Sequence, residues 1–184
     1  MAKTLIAGLG NPGPKYSLNR HNVGFLVADQ ILQNLQSTPI NKSNFRGELF
    51  KSRDIFVLKP TTFMNLSGES IAPVCSYYDI ARVVVIYDEI DLPFGALRFK
   101  FGGGNNGHNG LKSIDSCIGD EYFRVRVGVG RPENKEDVAK YVLSDFSKEE
   151  KVALKEIVED AANAALELSH SELNKIQERY TRKA

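Results

Sequence analysis

Val83-Val84-Val85-Ile86-Tyr87, running on into Asp88-Glu89-Ile90-Asp91, is the stretch on which the fold turns. Four successive β-branched residues are stiff at χ1 and pack well on a pleated surface, so 83–87 is the best candidate for a central strand. Working outward, residues 4–9 and 55–59 read as strands, the second stopped by Pro60, and 97–101 and 123–129 read the same way. Helical stretches lie between them. Phe25, Ile31, Leu32 and Leu35 recur at helical spacing within 22–36. Residues 65–78, 111–117, 136–143, 148–168 and 171–182 also read as helices, with Pro73 expected at a boundary or a kink. Residues 41–53 are polar and mixed, a loop plus an edge strand, and 102–110 is a Gly/Asn loop. Strands alternating with helices mean an α/β fold. No repeat, low-complexity tract or linker divides the chain, so residues 1–184 are expected to form one domain.

Composition narrows the class. Hydrophobic residues make up 42% of the chain, ordinary for a water-soluble globular protein, and no apolar run approaches the ~18 residues of a membrane span. The opening Met1-Ala2-Lys3-Thr4-Leu5-Ile6-Ala7-Gly8 reads as a buried strand and not as a signal peptide, because Gly and Pro follow at once. Cys75 and Cys117 are too few for a disulfide framework or a Cys-rich metal site; they read as two buried, reduced thiols of a cytoplasmic protein. Net charge is +1 but unevenly spread: residues 1–60 hold eight Lys/Arg against three Asp/Glu, whereas 61–95 hold one against five. A near-neutral body with local basic patches suits one RNA end better than a long duplex.

The chemistry is expected in the loops. Gly8-Leu9-Gly10-Asn11-Pro12-Gly13 satisfies the dinucleotide pattern in letters, but Pro12 and Pro14 bracket Gly13 and no helix opens at once to meet a pyrophosphate. Asn11 nonetheless stands where ligand sites of α/β folds form, past the carboxyl end of a strand. His21 and His108 both sit in loops among Gly and Asn, whereas His170 reads as a surface residue. A lone loop histidine is by default a surface or capping residue; a carboxylate to orient it changes that balance. Asp88, at the tip of the central strand, is such a carboxylate for His21. Asp88, Glu89 and Asp91 also suggest a divalent cation site, or simply capping and turn residues around Pro93. Phe101-Gly102-Gly103-Gly104-Asn105-Asn106-Gly107-His108-Asn109-Gly110 precedes a helix and can present backbone amides to an anion, or it is a flexible hairpin tip. In Thr61-Thr62-Phe63-Met64-Asn65, Met64 reads as a lining side chain and Asn65 by default as a helix N-cap. No Ser or Cys stands in a nucleophile-elbow pattern, so a hydrolase of this sequence needs water as nucleophile and His as base.

Five stretches in order resemble the bacterial peptidyl-tRNA hydrolase family. They are Gly8-Leu-Gly-Asn-Pro-Gly13 with Tyr16 and Arg20-His-Asn-Val-Gly24; Lys59-Pro-Thr-Thr-Phe-Met-Asn-Leu-Ser-Gly68; Asp88-Glu-Ile-Asp-Leu-Pro-Phe-Gly95; Gly107-His-Asn-Gly-Leu-Lys-Ser-Ile114; and Arg124-Val-Arg-Val-Gly-Val-Gly130. The resemblance implies a single-domain α/β fold with a twisted mixed sheet flanked by helices. It implies a cytoplasmic monomer, without cofactor or metal, that hydrolyses N-blocked aminoacyl-tRNA and so recycles tRNA for translation. In that family's scheme His21 is the general base, Asp88 orients it, and Asn109 positions the water or the developing charge. Asn11 and Asn65 hold the substrate's 3′ end and carbonyl, Tyr16 belongs to the same substrate contact, and Met64 lines the peptide channel. Lys100 and Arg126 clamp the tRNA 5′ phosphate, and the segment 91–107 and the later helices flank the channel. Two positions depart from the pattern: Asn19 where Thr is common, and Asn105-Asn106 in a loop that is usually smaller and richer in Gly. The rival readings are an inactive RNA-binding module on the same fold, a small-molecule esterase, and a metal hydrolase built on Asp88, Glu89 and Asp91.

Overall fold

A computed structural model describes residues 2–184. Its centre is the predicted one: Arg82–Glu89 forms β5, flanked by two parallel neighbours, β1 (Thr4–Gly8) and β7 (Phe123–Gly128). Beyond β1 lie β4 (Ile55–Pro60), parallel to it, and then β3 (Gly47–Ser52), antiparallel to β4. Beyond β7 lies β6 (Ala96–Phe101), antiparallel. Two-residue strands close both ends, β2 (Thr38–Pro39) and β8 (Arg182–Lys183), so the eight-stranded mixed sheet runs β2-β3-β4-β1-β5-β7-β6-β8.

The apolar run of β5 is unbroken because both faces of the sheet are covered. Val84 and Ile86 face α1 (Val23–Asn34) and α5 (Lys148–Leu168), among Val27, Ile31, Leu154 and Ala161. Val85 and Tyr87 point the other way, toward α2 (Ser67–Tyr78) and α3 (Asn109–Ile118), among Ile71, Val74, Leu111 and Ile114. Period-2 alternation on a doubly buried strand leaves no polar position. The long helix α5 opens with a capping box, Ser147 with Glu150, and a short α4 (Val138–Val142) and α6 (Leu173–Tyr180) lie before and after it. No helix among the described residues is long and apolar enough to cross a membrane.

Several expectations change. The edge of the sheet is β2, not β3, and the chain end predicted as helix to 182 stops at Tyr180 and continues as β8. Pro73 lies inside α2, at no boundary: the packing of Ile71 and Val74 holds the helix through the missing N–H. Asn65 caps nothing; it sits in a 3-10 turn, and α2 starts after Leu66 with no side-chain cap. Cys117 is exposed on α3, not buried, while Cys75 is half-buried and burial pushes its thiol up to about 11.

Candidate active site

The site forms where the parallel strands β1, β4 and β5 end and α3 begins. The turn after β1 is drawn tightly onto the start of α1. A Cβ on Gly8 would collide with the Gly24 carbonyl, and one on Gly24 with Leu9 and the Ile86 carbonyl, so only glycines permit this approach. That approach carries the 3-10 turn Arg20–Asn22 to the tip of β5. His21 Nδ1 stands 2.7 Å from Asp88 Oδ2 there.

Asp88 is wholly buried and has a second imidazole on its other oxygen: His108 Nε2 lies 2.8 Å from Oδ1. His108 is the N-cap of α3, and its Nδ1 accepts from the N–H groups of Gly110 and Leu111 at 3.1 and 3.3 Å. A nitrogen that accepts carries no proton, so we assign the His108 proton to Nε2, donating to Asp88. The other Asp88 oxygen then takes the Nδ1–H of His21, leaving His21 Nε2 as a free acceptor. Burial would raise the Asp88 carboxyl, but the two imidazoles hydrogen-bonded to it, His21 and His108, outweigh burial and hold it down at about 2. Burial would lower His21, yet the Asp88 charge and hydrogen bond prevail and raise it above the ordinary 6.5.

The asparagines are placed with equal economy. Asn11 and the buried Asn22 exchange hydrogen bonds, Asn11 N–H to Asn22 Oδ1 and Asn22 Nδ2 to the Asn11 carbonyl, both at 2.9 Å. Asn11 Oδ1 accepts the Met64 N–H at 2.7 Å, which leaves its amide NH₂ as the free donor. Phe63, just before, holds φ 69°, an outlying conformation for an aromatic residue. It turns the Met64 N–H inward and packs its ring edge-on to Tyr16 at 6.4 Å. Asn11, His21, Met64, Asn65 and Asn109 all line one cleft of about 260 Å³, closed by Ala139, Val142 and Leu143. The cleft therefore offers one proton acceptor, neutral amide donors and an apolar wall, which suits attack of water on a polarised carbonyl.

Of the nine residues singled out, the structure brings five into the cleft, places Asp88 behind His21 and sets Tyr16 outside the cleft lining, against Phe63. Lys100 and Arg126 lie apart on β6 and β7. Arg126 Nε pairs with Glu89 at 3.0 Å. Lys100 is pushed below its ordinary value by burial first, then by the charges of Arg126 and Arg124. The three acids do not converge: Asp88 turns to the histidines, Glu89 to Arg126 and Asp91 to Arg131 and Asn106. His21, Asp88 and His108 do present ligand atoms within 4.8 Å of one another. Their 2.7 and 2.8 Å spacings are those of hydrogen bonds, shorter than the ~3.3 Å between ligands of a tetrahedral ion bound at ~2.0 Å. His108, by default a surface or capping residue from the sequence, is indeed a cap, and what the sequence does not show is its hydrogen bond to Asp88.

A family model described as peptidyl-tRNA hydrolase matches residues 5–184. A curated protein of that name from Aliarcobacter butzleri is 50% identical over 181 residues, covering 97% of this chain and 99% of its own length. One from Campylobacter concisus is 51% identical over 178 residues, covering 97% and 96%. A crystal structure of a variant peptidyl-tRNA hydrolase from Acinetobacter baumannii superposes with a TM-score of 0.92 at 33% identity, covering 99% of this chain and 97% of that one.

Proposed function

The chain belongs to the peptidyl-tRNA hydrolase family, and from that premise we propose that its cleft hydrolyses the ester joining a peptide to the 3′ end of tRNA, with His21 activating the attacking water. The observation that carries the mechanism is the buried Asp88 between two imidazoles, which leaves His21 Nε2 as the proton acceptor facing the cleft. Water bound there loses its proton to Nε2 as its oxygen attacks the ester carbonyl. The amides of Asn11, Asn65 and Asn109 receive the carbonyl oxygen as charge develops on it, and each such donor is worth ~10²–10³ in rate. The imidazolium that forms is stabilised by Asp88, and the ribose oxygen leaves with its proton. An ester suits this apparatus because an alkoxide departs more readily than the amide anion that a peptide bond would have to release. Met64 and the wall of Ala139, Val142 and Leu143 face the peptide side, and Tyr16, packed on Phe63, contacts the substrate beyond the cleft.

The residues this mechanism uses all come from one chain, in keeping with a monomer. We read residues 1–184 as one working domain, acting in the cytoplasm without metal. The deciding experiment is release of N-acetyl-aminoacyl groups from tRNA in excess EDTA. Hydrolysis at the full rate is expected. Loss of activity restored by a divalent ion would overturn the metal-free mechanism, and tRNA binding without hydrolysis would leave an RNA-binding module.

Lys100, Arg126 and Arg124 form a like-charged group that Glu89 offsets in part, an arrangement that an RNA phosphate would relieve. Lys100→Ala and Arg126→Ala are each expected to raise KM for a tRNA substrate, to reduce the salt slope of binding by about one, and to spare a short N-acetyl-aminoacyl ester. Equal losses on both substrates would refute a phosphate clamp.

A further inference from the structure

Arg124 is the largest of the wholly buried side chains. It stands on β7 opposite Lys100 of β6. Its Nη1 donates to the Gly104 carbonyl at 2.6 Å and its Nη2 to the Gly103 carbonyl at 2.7 Å, a planar fork on two successive loop carbonyls. The guanidinium lies 4.6 Å over the ring of Tyr122, whose hydroxyl donates to Asp115 on α3 at 2.8 Å. Its Nε is buried with no partner. A cation taken out of water to meet two carbonyls and no carboxylate is costly, and it stabilises one thing in return, the path of the loop.

That loop leads directly to the active site. After Gly103 and Gly104, Asn105 receives the His108 N–H on its carbonyl at 2.9 Å and extends its amide toward Asp115 at 3.4 Å. His108 then reaches Asp88, and Asn109 enters the cleft. Glycine at 103 has φ 103°, and a Cβ there would sit 3.1 Å from Lys100 Nζ, so the loop is held between the Arg124 fork and the Lys100 ammonium.

We propose that Arg124 is a positioning residue for the hydrolysis: by clamping the carbonyls of Gly103 and Gly104 it sets the loop that delivers His108 to Asp88 and Asn109 to the cleft. The proposal rests on the hydrolase reading above. Buried as it is, Arg124 has no surface with which to meet RNA, which separates it from its neighbours Lys100 and Arg126.

Arg124→Lys keeps the charge but loses the rigid planar fork that holds both carbonyls in one plane. Its kcat should fall about ten- to a hundredfold on tRNA and short-ester substrates alike, the loss expected from misplacing reacting groups by ~1 Å, while KM for tRNA and its salt dependence hold. Joined to His108→Ala, it should cost little beyond the larger single loss, because the two act through one loop. A defect confined to KM for tRNA, or full additivity with His108→Ala, overturns the proposal. A second measurement needs no variant. In the wild-type protein the guanidinium N–H resonances of Arg124 should stay in place as an acceptor-stem RNA is titrated; displacement would make Arg124 a phosphate ligand and overturn the proposal equally. If wild type cleaves neither ester, the functional reading falls instead. The His108 Nε2–H resonance, present in wild type and lost in Arg124→Lys, then decides Arg124 on its own: its survival in the variant refutes the proposal.

Discussion

His21→Ala is expected to lose nearly all turnover, at the upper end of the ~10²–10⁴-fold that a general base contributes, while the protein stays folded. The size follows from what else the cleft contains. Asn11, Asn65 and Asn109 do not titrate, and Met64, Ala139, Val142 and Leu143 are apolar. His108 cannot step in, because its Nδ1 is engaged by the N-terminus of α3 and its Nε2 by Asp88. Removing the imidazole leaves Asp88 with one of its two partners, a loss of ~1.5–3 kcal/mol for a charge-assisted hydrogen bond against a domain stability of ~5–15 kcal/mol. Initial rates on N-acetyl-aminoacyl-tRNA, with circular dichroism to verify the fold, are the check, and near-normal hydrolysis by the folded variant would remove His21 from the mechanism. A pH profile adds the sign. The base must be neutral, and Asp88 holds its pKa above 6.5, so the acid limb of the wild-type profile should lie above that value.

The sequence discloses most of this site because its residues fall in loops that have no packing reason to carry them. Asp88 ends a run of β-branched residues and His21 follows a Gly/Pro turn, so both stand out against the core. The relation between His21 and Asp88 was legible as a hypothesis, since only one acidic strand tip lay available to orient a loop histidine. What stayed hidden depends on contacts far apart in the chain. His108 reads as an ordinary loop residue until α3 is seen to begin at Asn109 and to use its imidazole as a cap. Asn22 looks like a helix-start residue until it is found exchanging bonds with Asn11. Arg124 reads as one of two strand arginines on the same face, and only the folded structure shows that it is wholly interior while Arg126 keeps part of its side chain exposed.

The same distinction runs through the fold. β5 announces itself by the β-branched run Val83–Ile86, and β1 by a short apolar run that ends in glycine. Thr38–Pro39 and Arg182–Lys183 carry no such run: each is a strand only because β3 or β6 offers it an edge. Cys117 misleads for a related reason: composition puts a cysteine inside, while the outward face of α3 decides otherwise; Pro73, expected at a boundary or a kink, lies at no boundary.

Asp88→Asn is the second large effect, about ten- to a hundredfold in kcat, and it is expected to be no milder than Asp88→Ala. A carboxylate offers two acceptors, and the site presents two donors to it, His21 Nδ1–H and His108 Nε2–H. An asparagine amide offers one oxygen and one NH₂. His108 cannot change tautomer, because Gly110 and Leu111 donate to its Nδ1, so it claims the oxygen. The NH₂ then faces His21 Nδ1 and draws the ring into the opposite tautomer, with its proton on Nε2, where the base must be bare. The isosteric change thus supplies the wrong hydrogen bond, whereas alanine supplies none. The magnitude is that of a lost charge-assisted hydrogen bond, ~1.5–3 kcal/mol, smaller than deletion of the base itself, because a minority of His21 rings still present a free Nε2. The acid limb should move as well. Without the Asp88 anion only burial acts on His21, and burial lowers its pKa, so in either variant the limb shifts to lower pH than in wild type. Rates of both variants across the pH range measure all of this together. An Asp88→Asn enzyme as inactive as His21→Ala would give Asp88 a direct part in the chemistry, and one clearly faster than Asp88→Ala would overturn the tautomer argument.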